Sequence, residues 1–158
     1  MEGILQILFG PEDRIMDYLM KEFFSAQGSI DIVVFLLGSK TIANTLVKAH
    51  QRGVAVRMII DGKVARTRNS KHGFLVEKGI DVRTIRVTGG SMHSKFILID
   101  SKKVIAGSTN LTNDANYRNH ELMFVSEDPS IIERFSTKFE ALLNGGNKQT
   151  PRSGERGR

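Results

Sequence analysis

The sequence predicts an α/β fold in which one mixed, largely parallel sheet is flanked by helices on both faces. In the first half of the chain, short apolar runs alternate with segments whose apolar residues recur at helical spacing, a pattern typical of parallel β-α-β units. In the second half, short β-branched runs follow one another across polar or Gly-rich turns, which predicts antiparallel strands. With 158 residues, 40% of them hydrophobic, the chain is long enough for one substantial core and too short for two ordinary domains.

Local signals delimit each element of the first half. Strands are predicted where apolar runs end at polar or Gly-containing turns, and helices where apolar residues recur every three or four positions. Pro11 suits the first turn of the first helix, and Gly53 ends the second helix. The resulting assignment places strands at 4–9, 30–37, 54–60 and 82–87, and helices at about 11–27, 41–51 and 70–78.

The second half contains three further strands and a closing helix. The strands are predicted at 96–100, 104–106 and 121–125, and the helix extends from Pro129 to residue 143. From Gly145 onward the sequence is polar and has no residue able to anchor it in a core. We therefore predict one folded domain over residues 1–144 and a disordered basic tail over 145–158.

The most informative segment is Gly89–Asn110, which reads GGSMHSKFILIDSKKVIAGSTN. Its His93, Lys95 and Asp100 are spaced as HxKxxxxD, and a Gly-Ser-Thr-Asn turn begins seven residues after the aspartate. An imidazole can attack phosphorus or donate a proton, a lysine can hold an anionic oxygen, and the turn supplies a hydroxyl and an amide. A half-buried strand followed by an ordinary Gly-Ser turn is the alternative interpretation. We favour the first, because these groups together can break a phosphodiester without a metal.

Strand geometry predicts that two of the motif residues point the same way. Side chains alternate along a strand, so His93 and Lys95 share one face at the open end of the predicted strand 96–100. Asp100 has the opposite parity. We therefore interpret it as a structural residue that holds the turn at 101–103, and not as a partner of the histidine.

The turn after the return strand supplies the remaining groups of the predicted site. Gly107 allows the chain to turn sharply after the strand 104–106. Ser108 and Asn110 can then face back toward the motif. This arrangement predicts that a hydroxyl and an amide lie beside the histidine and the lysine.

HxKxxxxD followed by GSxN resembles the signature of the phospholipase D superfamily. A single copy in a short chain is similar to the single-HKD-motif endonuclease branch of that superfamily, which is Nuc-like and related to Zucchini. The resemblance covers most of the chain and implies a phospholipase D-like fold, with the catalytic domain over residues 1–144. Zucchini-type members carry zinc-binding cysteines, and this sequence has none. The resemblance therefore does not extend to their zinc element or to their specialised roles.

The resemblance also implies a role for each residue of the site. His93 would form a covalent phosphohistidine, while Lys95, Ser108 and Asn110 would hold phosphate oxygens. Glu121 would accept a hydrogen bond from the other imidazole nitrogen of the histidine. From the residues alone, a carboxylate at the start of a strand is equally well an ordinary edge-strand residue. No cofactor and no metal are expected, because the chain lacks cysteine and its four histidines are scattered.

The presence of only one motif predicts how the chain assembles. A histidine nucleophile needs a second proton donor for the leaving oxygen, and one ring can hardly serve both roles in the same step. The other histidines, His50, His72 and His120, fit surface or structural roles better than catalysis. We therefore predict a two-fold homodimer that brings two copies of His93 together, and the resemblance implies the same shared site.

Positive charge is concentrated in the segment that leads into the motif. The chain has a net charge of +6, and residues 62–95 contain eight Lys or Arg against two acidic residues. A basic rim around such a site suits nucleic acid, with Lys63, Arg66, Arg68 and Lys71 as predicted contacts. On composition alone, a solvated basic face is the alternative. Anionic lipid headgroups would be attracted by the same charge, so charge alone does not identify the substrate.

The leading hypothesis for function is a metal-independent endonuclease that cleaves DNA or RNA. A phospholipase D-type hydrolase of phosphatidyl lipids would use the same chemistry, and a catalytically silent nucleic-acid-binding module is a third alternative. The sequence contains no amphipathic segment with an exposed aromatic-rich face and no run long enough to span a bilayer, which favours nucleic acid over lipid. No signal peptide is recognisable, which predicts a cytoplasmic location.

Overall fold

A computed structural model describes residues 3–152, which form an eight-stranded mixed sheet with helices packed on both faces. A short 3-10 turn, Val64–Arg66, follows the third strand. In chain order the elements are β1 (Gln6–Gly10), α1 (Ile15–Ser25), β2 (Ser29–Val34), α2 (Lys40–Gln51), β3 (Ala55–Asp61), α3 (His72–Glu77), β4 (Asp81–Ile85), β5 (Phe96–Ile99), β6 (Lys103–Gly107), α4 (Asp114–Tyr117), β7 (Glu121–Ser126), α5 (Pro129–Gly145) and β8 (Asn147–Lys148).

The strand order is β1-β7-β6-β5-β2-β3-β4-β8, which confirms the predicted mixed sheet. Only the pairs β2–β3 and β3–β4 are parallel, and the other neighbouring pairs within residues 3–152 are antiparallel. The sequence analysis predicted a largely parallel sheet, and this part of the prediction is wrong. Most neighbouring strands of the described sheet are antiparallel. A parallel pair needs a crossover connection, and α2 and α3 provide the two crossovers between neighbouring parallel strands.

The central strands are buried on both faces, as the continuous apolar run at 30–37 predicts. On one face Ile32 joins a core built with α1 and α2, in which Phe23 is fully buried. On the other face Val33 packs in a second core with Phe139 of α5. The predicted helical layers on both faces are therefore present. Within residues 3–152, no helix combines the length and hydrophobicity needed to cross a membrane.

The first helix begins later than its sequence predicts. The carboxylate of Asp13 accepts a hydrogen bond from the backbone N–H of Phe9 at 2.7 Å, and the N–H of Asp13 donates to the carbonyl of Phe9 at 2.8 Å. These two bonds close a turn over the segment where Pro11 predicted the first helical turn. Helix α1 starts only at Ile15, after Arg14 at φ +47°.

Part of the predicted tail is ordered, which corrects the boundary placed at residue 144. Helix α5 continues to Gly145, and β8 then pairs antiparallel with β4, with Asn147 opposite Thr84. The N–H of Gln149 donates to the carbonyl of Val82 at 2.9 Å. A polar segment can be held by backbone hydrogen bonds to an edge strand without any apolar anchor. The rest of the predicted tail, 153–158, lies outside the described residues.

Asp100 is structural, but it holds a different segment from the one that the sequence suggested. Its carboxylate accepts hydrogen bonds from the backbone N–H groups of Gln27, Gly28 and Ser29 at 3.1, 2.7 and 3.0 Å. Partial burial alone would raise the pKa of Asp100, but these N–H donors outweigh it and hold the pKa below its ordinary value. The carboxylate thus fixes the connection between α1 and β2 against the end of β5.

We expect Asp100→Asn to lower the free energy of unfolding at pH 7 by about 1–2 kcal/mol, because an amide oxygen is a weaker acceptor than a carboxylate. The native pKa is depressed, so the stabilisation is fully present above about pH 4 and is lost as pH falls through the native pKa. Urea unfolding from pH 7 to pH 2 measures the difference. A deficit that persisted unchanged at the lowest pH would contradict this assignment.

Candidate active site

His93 and Lys95 lie in the segment that leads into β5, a central strand, and therefore at one end of the strands of the sheet. Because β5 runs antiparallel to β2, with Phe96 opposite Val33, its start lies beside the carboxyl ends of the parallel strands. Ligands of α/β proteins commonly bind outside those ends. The Lys95 Nζ lies 2.8 Å from His93 Nδ1 and donates to the His93 carbonyl at 2.8 Å. The structure therefore brings the predicted imidazole and cation into direct contact.

The two side chains differ in how far solvent reaches them. His93 is exposed, whereas Lys95 has only 9% of its surface accessible. Burial lowers the pKa of Lys95 from the ordinary lysine value, and the negative charge of Glu121 partly offsets that effect. A buried ammonium with little hydration gains strongly from an anionic oxygen. The chemistry of the site thus favours an anionic group above Lys95.

The contact between these residues determines which nitrogen of His93 carries the proton. A charged Lys95 can only donate, so Nδ1 of His93 is the acceptor and neutral His93 holds its proton on Nε2. The ring of Phe35 packs beside it, with the ring centroids 4.9 Å apart. In this arrangement the outer nitrogen of the imidazole is a hydrogen-bond donor. Attack by Nε2 requires the proton to move to Nδ1.

Ser108 is placed by an unusually close approach of two strands. A Cβ on Gly107 would lie 2.1 Å from the Leu122 carbonyl oxygen, so only glycine fits between β6 and β7 there. The N–H of Ser108 donates to that carbonyl at 2.9 Å, and its Oγ accepts from the N–H of Leu122 at 3.0 Å. These bonds fix the Ser108 hydroxyl beside the start of β7.

Glu121 contacts Ser108, and not His93. The Ser108 hydroxyl donates to one carboxylate oxygen of Glu121, and Asn119 Nδ2 donates to the other at 3.4 Å. Among the hydrogen bonds of residues 3–152, none joins Glu121 to His93, so the contact implied by the family resemblance is not made in this conformation. Glu121 is nevertheless close enough for its charge to act on Lys95. The carboxylate therefore belongs to the same cluster.

Asn110 ties the end of the turn to the first parallel strand. Its side-chain oxygen accepts a hydrogen bond from the N–H of Leu36 at 3.2 Å. The next residue, Leu111, forms an isolated parallel bridge with Leu37. Because the oxygen is occupied by the backbone, the amide NH₂ of Asn110 is the group left to donate to a ligand.

Asp61 is a residue of the site that the sequence analysis did not identify. Its side chain is fully buried and accepts hydrogen bonds from the N–H groups of Lys63, Val64 and Met92 at 3.0, 3.0 and 2.9 Å. Met92 directly precedes His93, so this carboxylate anchors the segment that carries the imidazole. An aspartate at the end of an apolar strand, followed by glycine, was the available signal.

The four predicted basic contacts do not act as one group. Lys63 Nζ donates to the carbonyl of Gly90 at 2.9 Å, which links two loops. Arg66 and Arg68 line a cavity of about 990 Å³. The N–H of Lys71 donates to the carbonyl of Leu37, a structural contact. The predicted basic rim is thus divided between a loop contact and a separate cavity.

Of the remaining histidines, His120 lies beside residues of the cluster. His120 lines a shallow cavity of about 540 Å³ together with Ser108 and Glu121. His72 accepts from or donates to the hydroxyl of Ser70 at 2.7 Å in the basic segment. Within the described part of the chain, no group of three or more potential metal ligands converges.

Comparison with known proteins gives consistent similarities. A family model described as cardiolipin synthase, PLD-like domain, matches residues 19–143. The chain is 36% identical over 129 residues to the mitochondrial cardiolipin hydrolase of Chlamydomonas reinhardtii, an alignment covering 82% of this chain and 56% of that protein. It is 32% identical over 130 residues to the Homo sapiens protein of the same name, covering 82% and 51%. The chain therefore spans about half the length of these curated relatives.

A solved structure matches over nearly its full length. Nuc, a phospholipase D family member from Salmonella typhimurium, superposes with a TM-score of 0.84 at 28% sequence identity. The superposition covers 94% of this chain and 99% of that one. The two chains thus share one fold, and the segment matched by the family model contains every residue of the cluster around His93.

We expect Asp61→Ala to lower the free energy of unfolding by about 3 kcal/mol, because three buried N–H groups lose their acceptor at about 1 kcal/mol each. Amide hydrogen exchange at Met92 should accelerate more than exchange in the central strands. Asp81→Ala is the matched control, since that carboxylate is partly exposed and, within residues 3–152, its ion pair is with Arg83, two positions along β4. Equal losses in the two variants would contradict an anchoring role for Asp61.

Proposed function

We propose that this chain, which belongs to the phospholipase D-like family matched over residues 19–143, cleaves the phosphodiester bonds of nucleic acid through His93 without a metal. The membership confirms the resemblance identified from the motif. The observation that carries the proposal is the direct contact of the exposed His93 with the buried Lys95 at 2.8 Å. A nucleophilic imidazole beside a desolvated cation suits attack on a phosphate whose oxygens carry negative charge.

In the first step, Nε2 of one His93 attacks phosphorus. A P–N bond forms, the bond from phosphorus to the leaving oxygen breaks, and that oxygen takes the Nε2 proton of a second His93 that is protonated at both ring nitrogens and becomes neutral. Lys95, the Ser108 hydroxyl and the Asn110 amide hold the non-bridging oxygens. In the second step, water gives a proton to the second histidine and attacks phosphorus. The P–N bond then breaks, which restores the first histidine.

The hydrogen bonds of the cluster suit a division of roles between two copies of His93. The proton donor must be an imidazolium, so in that copy Nδ1 is protonated as well and Lys95 would exchange its bond with Nδ1 for one with the phosphate. The attacking copy needs a proton on Nδ1 and an acceptor for it. We assign that acceptor role to Glu121, which would exchange its bond with Ser108 for one with the imidazole. The Ser108 hydroxyl would then be released to the phosphate.

An apolar surface beside the cluster supports the proposed homodimer. The side chains of Ile7, Phe9 and Leu122 have 53%, 54% and 46% of their surface exposed. Phe9 pairs with Leu122 across β1 and β7, and the neighbouring pair is Gly10 with Glu121. Contiguous exposed apolar side chains mark contact surfaces in soluble proteins. A two-fold contact here would bring two copies of the cluster close together. We call these three residues the apolar edge patch.

Hydrolysis of phosphatidyl lipids is the second candidate function. The relatives of highest identity described above are named mitochondrial cardiolipin hydrolases, and the chemistry at phosphorus would be the same. We favour nucleic acid because arginines and lysines outnumber acidic residues eight to two in the segment 62–95 that borders the site. Repeated phosphates along a strand can use such a surface more fully than a single headgroup.

The purified chain is expected to cleave labelled single-stranded DNA, double-stranded DNA or RNA in excess EDTA. His93→Ala should lower the rate by about 1,000-fold or more, because it removes both the nucleophile and the proton donor. His50→Ala, on α2, is the matched histidine control and should retain activity. Cardiolipin vesicles are assayed in parallel. A strict need for a divalent ion, or hydrolysis of the lipid alone, would overturn the proposed function.

Mixing active chains with His93→Ala chains tests the shared site. If each site needs two copies of His93, an equal mixture should keep about one quarter of the activity, since only that fraction of random pairs has both. Mixtures with His50→Ala chains serve as the control, and mass-tagged chains verify exchange. Activity that stays proportional to the fraction of active chains would contradict a shared site.

A further inference from the structure

We infer that a second phosphate-binding subsite lies at the same end of the sheet as the catalytic cluster, in a cavity closed by the C-terminal segment of the described chain. The cavity has a volume of about 990 Å³ and lies between the segment after β3 and residues 147–152. Four arginines from three parts of the chain line it: Arg66, Arg68, Arg86 and Arg152. We call this cavity the arginine pocket.

Among the described residues that line this pocket, the four arginines face one acidic residue, Glu77, so the lining has a surplus of positive charge. Within residues 3–152, none of the four forms an ion pair, whereas Arg57 and Arg83 elsewhere pair with aspartates. The charges also act on their surroundings, since burial and then the charge of Arg152 lower the pKa of His72 in the pocket wall. A cavity with a surplus of positive charge attracts an anion and is stabilised by it.

The other groups of the pocket suit a phosphate rather than an apolar ligand. Ser70 and His72 are joined at 2.7 Å and lie in the wall. Gln149 Nε2 donates to the hydroxyl of Thr84 at 3.2 Å, which fastens the C-terminal segment to β4. Guanidinium groups present planar pairs of N–H donors that match phosphate oxygens. The chemical class of the ligand is therefore a phosphate mono- or diester.

The position of the pocket relative to His93 indicates which phosphate it holds. The pocket lies at the carboxyl ends of β3 and β4, and β4 is three strands away from β5. At about 4.8 Å per strand, the separation is about 15 Å. Phosphates follow one another at about 3.4 Å of helical rise per strand, so this distance corresponds to about four nucleotides. The two phosphates of a cardiolipin, joined by one glycerol, are too close together to reach both sites.

This inference rests on the proposed nuclease function and gives it a substrate requirement. The pocket would bind a phosphodiester of the same strand, a few nucleotides from the one attacked by His93. Lys63, whose Nζ contacts the Gly90 carbonyl, lies on the loop between the pocket and the motif segment. A strand that enters the pocket would therefore pass Lys63 on its way to the catalytic cluster.

The double variant Arg86→Gln/Arg152→Gln tests the subsite, with Lys21→Gln/Lys48→Gln as a control that removes the same charge from exposed positions on α1 and α2. Each protein is assayed on an oligonucleotide of about 20 nucleotides and on bis(p-nitrophenyl) phosphate, which is too small to reach the pocket. We expect the ratio of kcat/KM on the oligonucleotide to kcat/KM on the small diester to fall about tenfold in the arginine variant. The salt dependence of oligonucleotide binding should weaken by about 1–2 in log-log slope.

Arg86→Lys/Arg152→Lys, which keeps both charges, should recover part of the ratio and controls for damage to the fold, together with thermal unfolding of each variant. If Arg86→Gln/Arg152→Gln has the same ratio of kcat/KM values as the control Lys21→Gln/Lys48→Gln, the proposed subsite is wrong. A selective loss of cardiolipin hydrolysis would overturn it as well, because the pocket would then serve a lipid surface. A wild-type chain that hydrolyses the small diester but no oligonucleotide would refute the proposed function itself, a result distinct from the other two.

Discussion

The antiparallel pairing of β5 with β2 is the interaction on which the rest of the structure depends. It joins the parallel half of the sheet to the antiparallel half, and it turns the start of β5 toward the carboxyl ends of the parallel strands. The Asp100 carboxylate locks the register from the far end of β5 by accepting three backbone N–H groups of the α1–β2 connection. A shift of one residue would reverse every side chain of the strand and move His93 and Lys95 to the opposite face.

The cluster around His93 consists of groups that have a partner within the protein and would exchange it for a ligand. Lys95 donates to His93, and the Ser108 hydroxyl donates to Glu121. Each of these bonds satisfies a polar group that would otherwise face solvent or a low-dielectric interior. A phosphate that displaced them would find its donors already oriented by Gly107, Asp61 and the strands behind them. Preorganised donors of this kind need little reorganisation when charge develops.

The sequence was sufficient to predict the class of fold and to place His93 and Lys95 on one face, because both follow from the periodicity of side chains; the contact between the two residues is seen in the structure. It was not sufficient for contacts that depend on how strands pair. The bond between Ser108 and Glu121 depends on the register of β6 and β7, and a residue's parity does not reveal its cross-strand neighbour. Asp61 was missed because its partners lie in two separate loops. Residues 147–148 were assigned to a tail because backbone pairing needs no apolar side chain.

The two edges of the described sheet differ in polarity. At one end β8 is two residues long and polar, while at the other β1 and β7 carry the apolar edge patch. A sheet that offers a contact surface at both of its edges can add copies without limit and grow into a filament. In the proposed homodimer, an isologous contact through the apolar edge patch would use that edge in both partners, so growth would stop at two. The asymmetry of the described sheet would therefore limit self-association to a closed pair.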